Sequence, residues 1–310
     1  MEIKKTVLIA GITGQDGLYL SKLLINKNYK IVGLSTRYSS KKKDLTIIKT
    51  NYSHKSLNEI IKKYKPTQIY NLTAISEPSI SWIKPKDTFK SIIDITLNFL
   101  EIIKHKKNKK IKFFNASTSE IFKSSKKILN EDSFIFPTNP YGIAKSAAHF
   151  LISAYRRNYK IFAINGIFFN HDSPNRDKRF LLKYLISEAK KVQNNKNHKI
   201  ILNDPRPIRD FGFAGDYMEA AYKILSKAKP QDFIIATGRS ISVRKLAKQV
   251  IRKMSVSSAT IKYKKKNKDY VNLIKRASIK KIQKNTTWKP KVSLEQLILM
   301  MIKAEDNIQP

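Results

Sequence analysis

The sequence predicts an α/β fold built on a doubly wound parallel sheet, with a smaller α/β portion beside it. Three observations support this prediction. Apolar runs of strand length, such as Val7–Ala10, alternate with amphipathic helical segments along the chain. A glycine-rich turn follows the first apolar run, and small polar residues follow several others. The 310 residues, of which 41% are hydrophobic, are enough to form a real core.

The opening segment, TVLIAGITGQDGLYLSKLLINKNYKIVGL, has the order strand, glycine-rich turn, helix, strand. Its first apolar run suits a strand buried on both faces. Gly11, Gly14 and Gly17 follow that run at the spacing G-x-x-G-x-x-G. Glycines let a backbone approach a pyrophosphate closely, and the N terminus of the next helix favours its negative charge. This position favours a Rossmann-type dinucleotide site over a plain strand–helix turn.

The end of the second strand indicates which dinucleotide is bound. An acidic residue there would hold the free ribose hydroxyls of NAD, but the sequence is GLSTRYSSKKK, with Arg37 and hydroxyl residues in that place. A cation suits a 2′-phosphate, so the sequence predicts NADP as the cofactor. Any surface position of so basic a chain can be Lys or Arg, and NAD therefore stays open at this point.

Two further strands end in small polar residues, QIYNLTA at 68–74 and KIKFFNAS at 110–117. A helix is predicted between them at Thr88–Lys104, with its apolar residues on one side. This alternation indicates a parallel sheet with helices on both faces, in which ligands gather at the carboxyl ends of the strands. Leu72 and Ala74, at the end of the earlier strand, are therefore expected to contact the cofactor.

The stretch PTNPYGIAKSAAHF carries groups suited to proton transfer. Pro140 fits the first turn of a helix, on which Tyr141 and Lys145 are four residues apart on one face. A Tyr with a pKa of about 10 is a poor base, and an adjacent ammonium is expected to lower that pKa. Thr118 or Ser119 would then hydrogen-bond the substrate hydroxyl that the phenolate deprotonates. An ordinary amphipathic helix is the alternative, since Y-x-x-x-K is common by chance.

The chain resembles the extended short-chain dehydrogenases/reductases and, among them, the GDP-mannose 4,6-dehydratase family. The matching segments, in the family's order over nearly the whole chain, are GITGQDGLYL, NASTSEIF, NPYGIAK, NGIFFNHDSP, RDFGFAGDYMEA, DFIIATGRSISVR and WKPKVSLEQL. The glycine motif and Tyr-x-x-x-Lys are shared by the superfamily, whereas NGIFFNHDSP and STSE are more specific to the dehydratases. The resemblance implies a lyase with NADP contacts at Thr13, Gln15, Asp16, Tyr141 and Lys145.

The family's reaction implies a role for Glu120. In that reaction NADP+ takes a hydride from C4 of the hexose while a Tyr takes the hydroxyl proton. A carboxylate then removes the C5 proton as the C6 hydroxyl departs, and the hydride returns to C6. GDP-mannose thereby becomes GDP-4-keto-6-deoxymannose with no net redox change. The catalytic set implied is Thr118, Glu120, Tyr141 and Lys145, and a Glu that only caps the following turn is the alternative.

The resemblance also implies contacts to a GDP-sugar. Asn170 in FFNHDSP resembles a residue that meets the sugar diphosphate. Arg209 resembles a diphosphate-binding Arg, whose planar guanidinium suits phosphate oxygens. Arg176 and Lys183 fall where the family lines its nucleotide cleft, with solvated surface as the alternative for both. The other implied substrate contacts are Ser76 and Ser119.

Two segments depart from the family pattern. The loop after the second strand, at Ser39–Lys49, is shorter than in the family, which predicts a homodimer in place of a homotetramer. An acidic residue of the family is replaced by Asn51 or a near neighbour. Toward the C terminus KKNKDYVN stands where the family has a nucleotide-binding Arg, so Lys266 or Lys268 is expected to replace it as a point charge.

Composition excludes several classes of protein. The chain has no Cys, which rules out disulfides, thiolate catalysis and Cys-based metal sites, and fits a cytoplasmic location. The five His are scattered without ligand spacing, so no metal site is predicted. No apolar stretch is long enough to span a bilayer. The net charge of +39 is attributed to A/T-rich codon usage, because Lys, Ile and Asn are abundant together; a nucleic-acid partner is disfavoured.

Two portions are predicted. A Rossmann-type NADP-binding portion covers residues 1–164 and 205–238, and a smaller portion that binds the sugar nucleotide covers 165–204 and 239–310. The helix SVRKLAKQVIRKM is expected to supply core residues to the smaller portion. The enzymatic rivals are another NADP-dependent nucleotide-sugar dehydratase, a keto-sugar reductase and an epimerase; Glu120 argues against the last two. A decayed, basic nucleic-acid-binding relative is the non-enzymatic rival, disfavoured because every catalytic residue type is present.

Overall fold

The computed structural model describes residues 4–105, 108–257, 260–264 and 273–307. Its described strands form one eight-stranded sheet and two smaller sheets of three and two strands. The strands are β1 Thr6–Ala10, β2 Lys30–Ser35, β3 Ser40–Lys42, β4 Leu45–Lys49, β5 Gln68–Asn71, β6 Lys112–Thr118, β7 Ala163–Phe168, β8 Asn170–Asp172, β9 Ile200–Leu202, β10 Ile208–Phe213, β11 Phe233–Ile235, β12 Ser240–Ser242 and β13 Ile261–Tyr263.

The large sheet has the strand order β11-β7-β6-β5-β1-β2-β4-β3. Neighbouring strands in it run parallel, except that β3 is antiparallel to β4. β1 lies between β2 and β5, so the chain changes its direction of winding there. In doubly wound sheets such a switch point is where ligands bind. The predicted Rossmann-type parallel sheet is confirmed.

The described helices are α1 Gln15–Ile25, α2 His54–Tyr64, α3 Pro78–Ile83, α4 Pro85–Phe89, α5 Ile95–Ile103, α6 Pro140–Tyr159, α7 Leu181–Asn194, α8 Ala214–Lys227, α9 Val243–Lys253, α10 Lys280–Thr286 and α11 Leu294–Asp306. A π-helical turn, Lys90–Asp94, joins α4 to α5. The predicted helix at Thr88–Lys104 is therefore present, with a local widening of the helix. Within the described ranges, no helix has both the length and the apolar character needed to cross a bilayer.

Helices cover both faces of the large sheet. Successive residues of β1 alternate between two hydrophobic clusters, because side chains along a strand point to opposite faces. Val7 and Ile9 pack in the cluster that contains the buried residues of α1 and α8. Leu8 and Ala10 pack in the cluster that contains residues of α2, α5 and α6. This two-sided burial explains why the first apolar run of the sequence has no polar interruption.

A third hydrophobic cluster holds the smaller portion together. It is built from α7, α9 and α11 with residues of β9 and β10. The predicted core helix is α9, whose hydroxyl cap is Ser242. The expected contribution to the core is confirmed, because the apolar residues on one side of this segment are all buried: Val243, Leu246, Ala247, Val250, Ile251 and Met254.

Two details of the sequence interpretation, a loop and a domain boundary, need correction. Ser39–Lys49, interpreted as a loop, contains β3 and β4, because Leu45–Lys49 pairs along β2. The predicted boundary after residue 164 falls inside β7, whose six residues are all buried. Asn165 and Gly166 interrupt the apolar run of this strand in the sequence, but both residues belong to the core. Asn165 makes hydrogen bonds inside the core, and Gly166 is packed so closely that an added Cβ would lie 2.2 Å from the ring of Phe114.

The C-terminal end of the chain also contributes to the core of the large sheet. Ile282 of α10 and Trp288 are both fully buried in the cluster that contains α1 and α8. The Trp288 indole nitrogen donates to the carbonyl oxygen of Asp216, 3.1 Å away. This part of residues 239–310 therefore packs on the larger portion, whereas the sequence assigned it to the smaller one.

Candidate active site

A cleft of about 260 Å3 opens at the carboxyl ends of β1, β5, β6 and β7. It lies at the switch point of the sheet, where the glycine-rich turn after β1 meets the segment after β5. Fifteen of the residues predicted from sequence line it: Gly11, Gly14, Gln15, Asp16, Gly17, Leu72, Ala74, Ser76, Thr118, Ser119, Glu120, Tyr141, Lys145, Asn170 and Arg176. Thr13, Arg37, Lys183 and Arg209 are not among the lining residues.

The glycine-rich turn is shaped for close approach of another group. Gly11 has a φ of +81°, a conformation that favours glycine. A Cβ on Gly17 would lie 2.5 Å from the carbonyl oxygen of Gly11, so the start of α1 packs directly on the turn. A Cβ on Gly14 would meet only that same oxygen, at 3.4 Å. Gly14 therefore has open space before it, and α1 begins at the next residue.

The groups that line the cleft fit a dinucleotide. Gly14 leaves room for a pyrophosphate at the N terminus of α1, where backbone amides and the helix dipole favour an anion. The hydroxyl of Ser117 lines the cleft, is buried, and has no hydrogen-bond partner among the described residues. Buried polar groups are normally satisfied, so this hydroxyl points to a polar group supplied by a ligand. Lys145 adds a cation to the same wall.

Tyr141 is held at the start of α6 by local sequence. The side chain of Asn139 accepts a hydrogen bond from the amide of Gly142, 2.8 Å away, and caps the helix. Pro140 occupies the first helical turn, as the sequence predicts. Tyr141 and Lys145 then lie on one helix face and both reach the cleft, opposite the end of β6.

The predicted effect of Lys145 on Tyr141 is wrong. Burial raises the pKa of Tyr141 to about 12, while a hydrogen bond to Thr118 acts in the opposite direction. The Lys145 ammonium donates instead to the carbonyl oxygen of Ala116 at 2.5 Å and lies 6.0 Å from the centre of the Tyr141 ring. Burial lowers the pKa of Lys145 to about 8, opposed by the charge of Asp16.

Glu120 follows β6 in a short 3₁₀ turn, Ser119–Ile121. Thr118 caps this turn, because its hydroxyl accepts from the Glu120 amide at 3.2 Å. The Glu120 carboxylate points elsewhere, with Oε2 3.4 Å from Nδ2 of Asn139 and Oε1 3.0 Å from the ammonium of Lys275. Burial favours the neutral acid, but the positive charges of Lys275 and Arg209 outweigh it and lower the Glu120 pKa. The structure therefore gives the capping role to Thr118.

An ion pair connects the glycine-rich turn to the smaller portion. Nε2 of His171 lies 3.0 Å from Oδ1 of Asp16, and Nδ1 of His171 lies 2.9 Å from the carbonyl oxygen of Phe169. Burial would lower the His171 pKa, but the attraction and hydrogen bonding of Asp16 outweigh it and raise that pKa. The hydroxyl of Ser173 donates to Gln15 at 2.8 Å and strengthens the same junction. Gln15 and Asp16 thus have structural partners as well as cleft positions.

A second cleft, of about 580 Å3, adjoins the first. Asn170 lines both clefts, and Arg209 lines the second. The Arg209 guanidinium donates from Nη1 to the carbonyl oxygens of Ile208 at 2.9 Å and Leu273 at 3.0 Å. A ligand that extends from the first cleft past Asn170 would reach Arg209.

Two predicted substrate contacts have different surroundings. Arg176 lines the first cleft, with its guanidinium stacked 3.4 Å above the ring of Phe180 and Nε 3.2 Å from Oδ1 of Asp172. Lys183 is buried in α7, and its ammonium lies 2.6 Å from a carboxylate oxygen of Glu305. Lys183 lines neither cleft, because that ion pair holds it inside the smaller portion.

The end of β2 has the basic character that the sequence indicated. Arg37 is exposed just beyond this strand, and its amide donates to the Ser35 hydroxyl at 3.1 Å. A shallow depression nearby is lined by Thr36, Lys49, Thr50, Asn51, Ser53, Lys55, Ser56 and Glu59. Asn51, which we expect in the place of an acidic residue of the family, lines this depression. Lys266 and Lys268 lie outside the described residues.

The chain is similar in sequence to known proteins over almost its whole length. The family model described as GDP-mannose 4,6 dehydratase matches residues 8–301. GDP-mannose 4,6 dehydratase 2 of Arabidopsis thaliana is 31% identical over 97% of this chain and 87% of its own length. The chain belongs to the GDP-mannose 4,6-dehydratase family. GDP-mannose 4,6 dehydratases of Cricetulus griseus and Homo sapiens, 32% and 31% identical, are each matched over 97% of this chain and 91% of their own length.

Solved structures agree with the fold of the family. UDP-glucose 4-epimerase of Thermotoga maritima superposes with a TM-score of 0.87 at 21% identity, over 97% of this chain and 99% of that one. dTDP-glucose 4,6-dehydratase of Bacillus anthracis, solved with NAD, also has a TM-score of 0.87, at 19% identity over 98% and 97% of the two chains. At these identities the likeness shows the fold alone.

Three residues of the site were missed from sequence. Ser117 belongs to the predicted strand end, and the run of three hydroxyl residues there was a usable signal. His171 follows β7 closely within a segment specific to the family, but no partner was visible in the sequence. Lys275 gave no signal, because a Lys in LIKRAS is indistinguishable from the many surface cations of a chain with 62 Lys and Arg.

Proposed function

We propose that the chain converts GDP-mannose to GDP-4-keto-6-deoxymannose by loss of water. One observation carries the proposal: Glu120 lines the same cleft as Thr118, Tyr141 and Lys145. Oxidation at a hydroxyl-bearing carbon needs only Thr118, Tyr141 and Lys145, whereas removal of water needs an additional base for the C5 proton. A carboxylate with a lowered pKa is ionised at neutral pH and can serve as that base. Family membership supports the same reaction.

The proposal assigns a role to each of these side chains, supported by their shared position in the cleft. Thr118 orients the C4 hydroxyl, and Tyr141 takes its proton. A dinucleotide held at the glycine-rich turn would supply the hydride acceptor for C4 and the hydride donor for C6. Glu120 removes the proton at C5, which the new 4-keto group has acidified, and the C6 oxygen leaves as water. The proton on Glu120 goes to the departing C6 oxygen, and the proton on Tyr141 is returned to C5, directly or through water, so the protons and electrons balance and both side chains end as they began.

The finer assignments are part of the same proposal. NADP is favoured over NAD because the end of β2 carries Arg37 in place of an acid. Asn170 and Arg209 would hold the diphosphate, since they line the cleft that continues from the catalytic groups. Ser76, Ser119 and Arg176 would contact the sugar nucleotide from the first cleft. A homodimer and a cytoplasmic location complete the proposal; the absence of Cys favours the latter.

Incubation of the purified chain with a panel of nucleotide hexoses tests this function. GDP-mannose should give a 4-keto-6-deoxy product, detected by mass spectrometry as loss of one water, without consumption of added NADP. A 4-epimer of unchanged mass would instead favour the epimerase. A product that forms only with stoichiometric oxidation of NADPH would favour the reductase. Tight, salt-sensitive DNA binding without turnover would favour the non-enzymatic reading.

A further inference from the structure

Lys275 is a fully buried lysine at the edge of the candidate active site. Its backbone is fixed on both sides of the residue. The Lys275 amide donates to the carbonyl oxygen of Ile208 at 3.1 Å, and Ala277 forms a bridge with Leu129. The segment is thus anchored to β10 on one side and to the loop after the 3₁₀ turn on the other. This anchoring directs the side chain toward Glu120.

The burial of this ammonium requires a partner. An isolated charge is costly to remove from water, and a buried cation persists only where an opposite charge or hydrogen bonds offset that cost. Nζ of Lys275 lies 3.0 Å from Oε1 of Glu120, and the side-chain exposures of the two residues are 0% and 17%. Lys275 does not line the cleft, whereas Glu120 does. Lys275 can therefore influence the reaction only through its effect on the Glu120 carboxylate.

We infer that Lys275 is a positioning residue of the dehydration step, which fixes the orientation of the Glu120 carboxylate and keeps it ionised. The inference rests on the proposed role of Glu120 as the C5 base. The ion pair holds Oε1 of Glu120, and Nδ2 of Asn139 lies 3.4 Å from Oε2, so both carboxylate oxygens have contacts that fix their positions. It also limits the carboxylate to one rotamer, as proton transfer at a fixed carbon requires.

The surrounding charges support this role. The groups that face Glu120 include Lys275, Arg209 on β10 and the phenol of Tyr141 on α6. The two cations lower the Glu120 pKa against the effect of burial. Burial lowers the Lys275 pKa to about 8, so its ammonium is still mostly protonated at neutral pH. Once Glu120 has taken the C5 proton, the adjacent cation makes the neutral acid readier to release it to the departing C6 oxygen.

The experiment compares Lys275→Met with the unsubstituted chain by two readouts. The first is the infrared signal of a protonated carboxyl group, assigned to Glu120 by its loss in Glu120→Gln. The second is the pH profile of kcat/KM with GDP-mannose. We expect Lys275→Met to keep Glu120 protonated to a higher pH than in the unsubstituted chain, and to move the acid limb of the profile upward by about one pH unit or more. The expected change lies mainly in kcat, since Lys275 does not line the cleft.

Arg156→Met is the matched control. Arg156 also pairs with a partly buried carboxylate, that of Asp232 at 2.9 Å, but away from the cleft. The variant Arg156→Met should lower the free energy of unfolding without moving the acid limb of the pH profile. An acid limb and a carboxyl signal that are the same in Lys275→Met as in the unsubstituted chain would overturn the inference.

A third comparison covers the case in which Lys275→Met folds poorly. The double variant Lys275→Met/Glu120→Gln removes both charges, so it should recover much of the lost stability if the pair is the cause. Lack of recovery would overturn the inference. Failure of the proposed function is a separate result. If the chain gives no 4-keto product but the carboxyl signal still depends on Lys275, the ion pair is supported and the dehydratase assignment is wrong.

Discussion

Asp16 and His171 join two parts of the site that are distant in sequence. Asp16 is in the first turn of α1, directly after the glycine-rich turn, and His171 is in β8 of the smaller portion. Their side chains meet at 3.0 Å, and the His171 ring stacks on Tyr217 with ring centres 4.8 Å apart. The glycine-rich turn and the start of the smaller portion are thereby held in one fixed relation.

Loss of this pair should lower stability in a pH-dependent way. The Asp16 pKa is lowered, so its contribution is present above the ordinary carboxyl pKa and is lost as pH falls through the lowered value. The His171 pKa is raised, so its contribution is complete below its ordinary value and is lost as pH rises through the raised value. We expect Asp16→Asn to cost about 2 kcal/mol of unfolding free energy in mildly acidic solution, and less above the raised His171 pKa.

Denaturant unfolding at several pH values measures this difference. Glu188→Gln is the control, because it breaks a carboxylate–imidazole pair whose His198 side chain is 29% exposed, against 10% for His171. Its cost should stay below about 1 kcal/mol. A cost for Asp16→Asn that does not change with pH would mean that the pair is not charged as described.

The glycine-rich turn offers a contrast between binding and folding. Gly14→Ala should fold normally, because its Cβ meets no atom closer than 3.4 Å and its φ is −82°. The added methyl group would occupy the space left for the pyrophosphate, so NADP affinity should fall about tenfold or more, equivalent to about 1.4 kcal/mol. Calorimetric titration measures the affinity, and an unchanged value would contradict the placement of the cofactor.

Gly17→Ala should have the opposite pattern. Its Cβ would lie 2.5 Å from the carbonyl oxygen of Gly11, and backbone atoms cannot move aside easily. We expect a loss of about 1–3 kcal/mol in the free energy of unfolding, typical of overpacking. Thermal unfolding of the cofactor-free chain measures it. A stability equal to that of the parent would show that the start of α1 shifts freely.

Much of this architecture could be predicted from the sequence, because its signals are local. The buried run Val7–Ala10, the three glycines and the Tyr-x-x-x-Lys spacing each fix a neighbourhood of a few residues, and the parallel sheet then brings the strand ends together. Contacts across long sequence distances could not be read in this way. Lys275 reaches Glu120 from 155 residues away, and nothing local distinguishes it from a surface lysine.

Burial also explains the interpretations that failed. The ammonium of Lys145 was expected to lower the pKa of Tyr141, but it donates to the Ala116 carbonyl oxygen instead, and burial of the phenol raises that pKa. Lys183 was placed in the nucleotide cleft from its position in the family, and its ion pair with Glu305 keeps it inside. Neither competing partner is visible in a linear pattern.

Cofactor preference is tested at Arg37. This side chain is exposed beyond β2, where a 2′-phosphate would lie, and no shift in the fold is expected from its loss. Arg37→Ala should weaken NADP binding by roughly tenfold, about 1.4 kcal/mol, and leave NAD binding nearly unchanged. Parallel calorimetric titrations with the two dinucleotides give both values. Equal losses for the two would remove the argument for NADP.

The assembly state is open to a direct measurement. The short segment between β2 and α2 favours a homodimer over a homotetramer. Light scattering at moderate salt, which screens the net charge of +39, should give twice the mass of the 35.8 kDa chain. A mass four times that of the chain would show that tetramer formation does not need the longer loop.

The most direct test of the dehydratase mechanism compares Glu120→Gln with Tyr141→Phe. Glu120→Gln keeps the shape of the side chain but cannot take the C5 proton, whereas the earlier step at C4 depends on Tyr141. With GDP-mannose, Glu120→Gln should therefore accumulate enzyme-bound NADPH, seen as an absorbance that rises once, while turnover falls about a hundredfold or more. Tyr141→Phe should give no such absorbance. Turnover of Glu120→Gln at nearly the parent rate would contradict the assignment of Glu120 as the base.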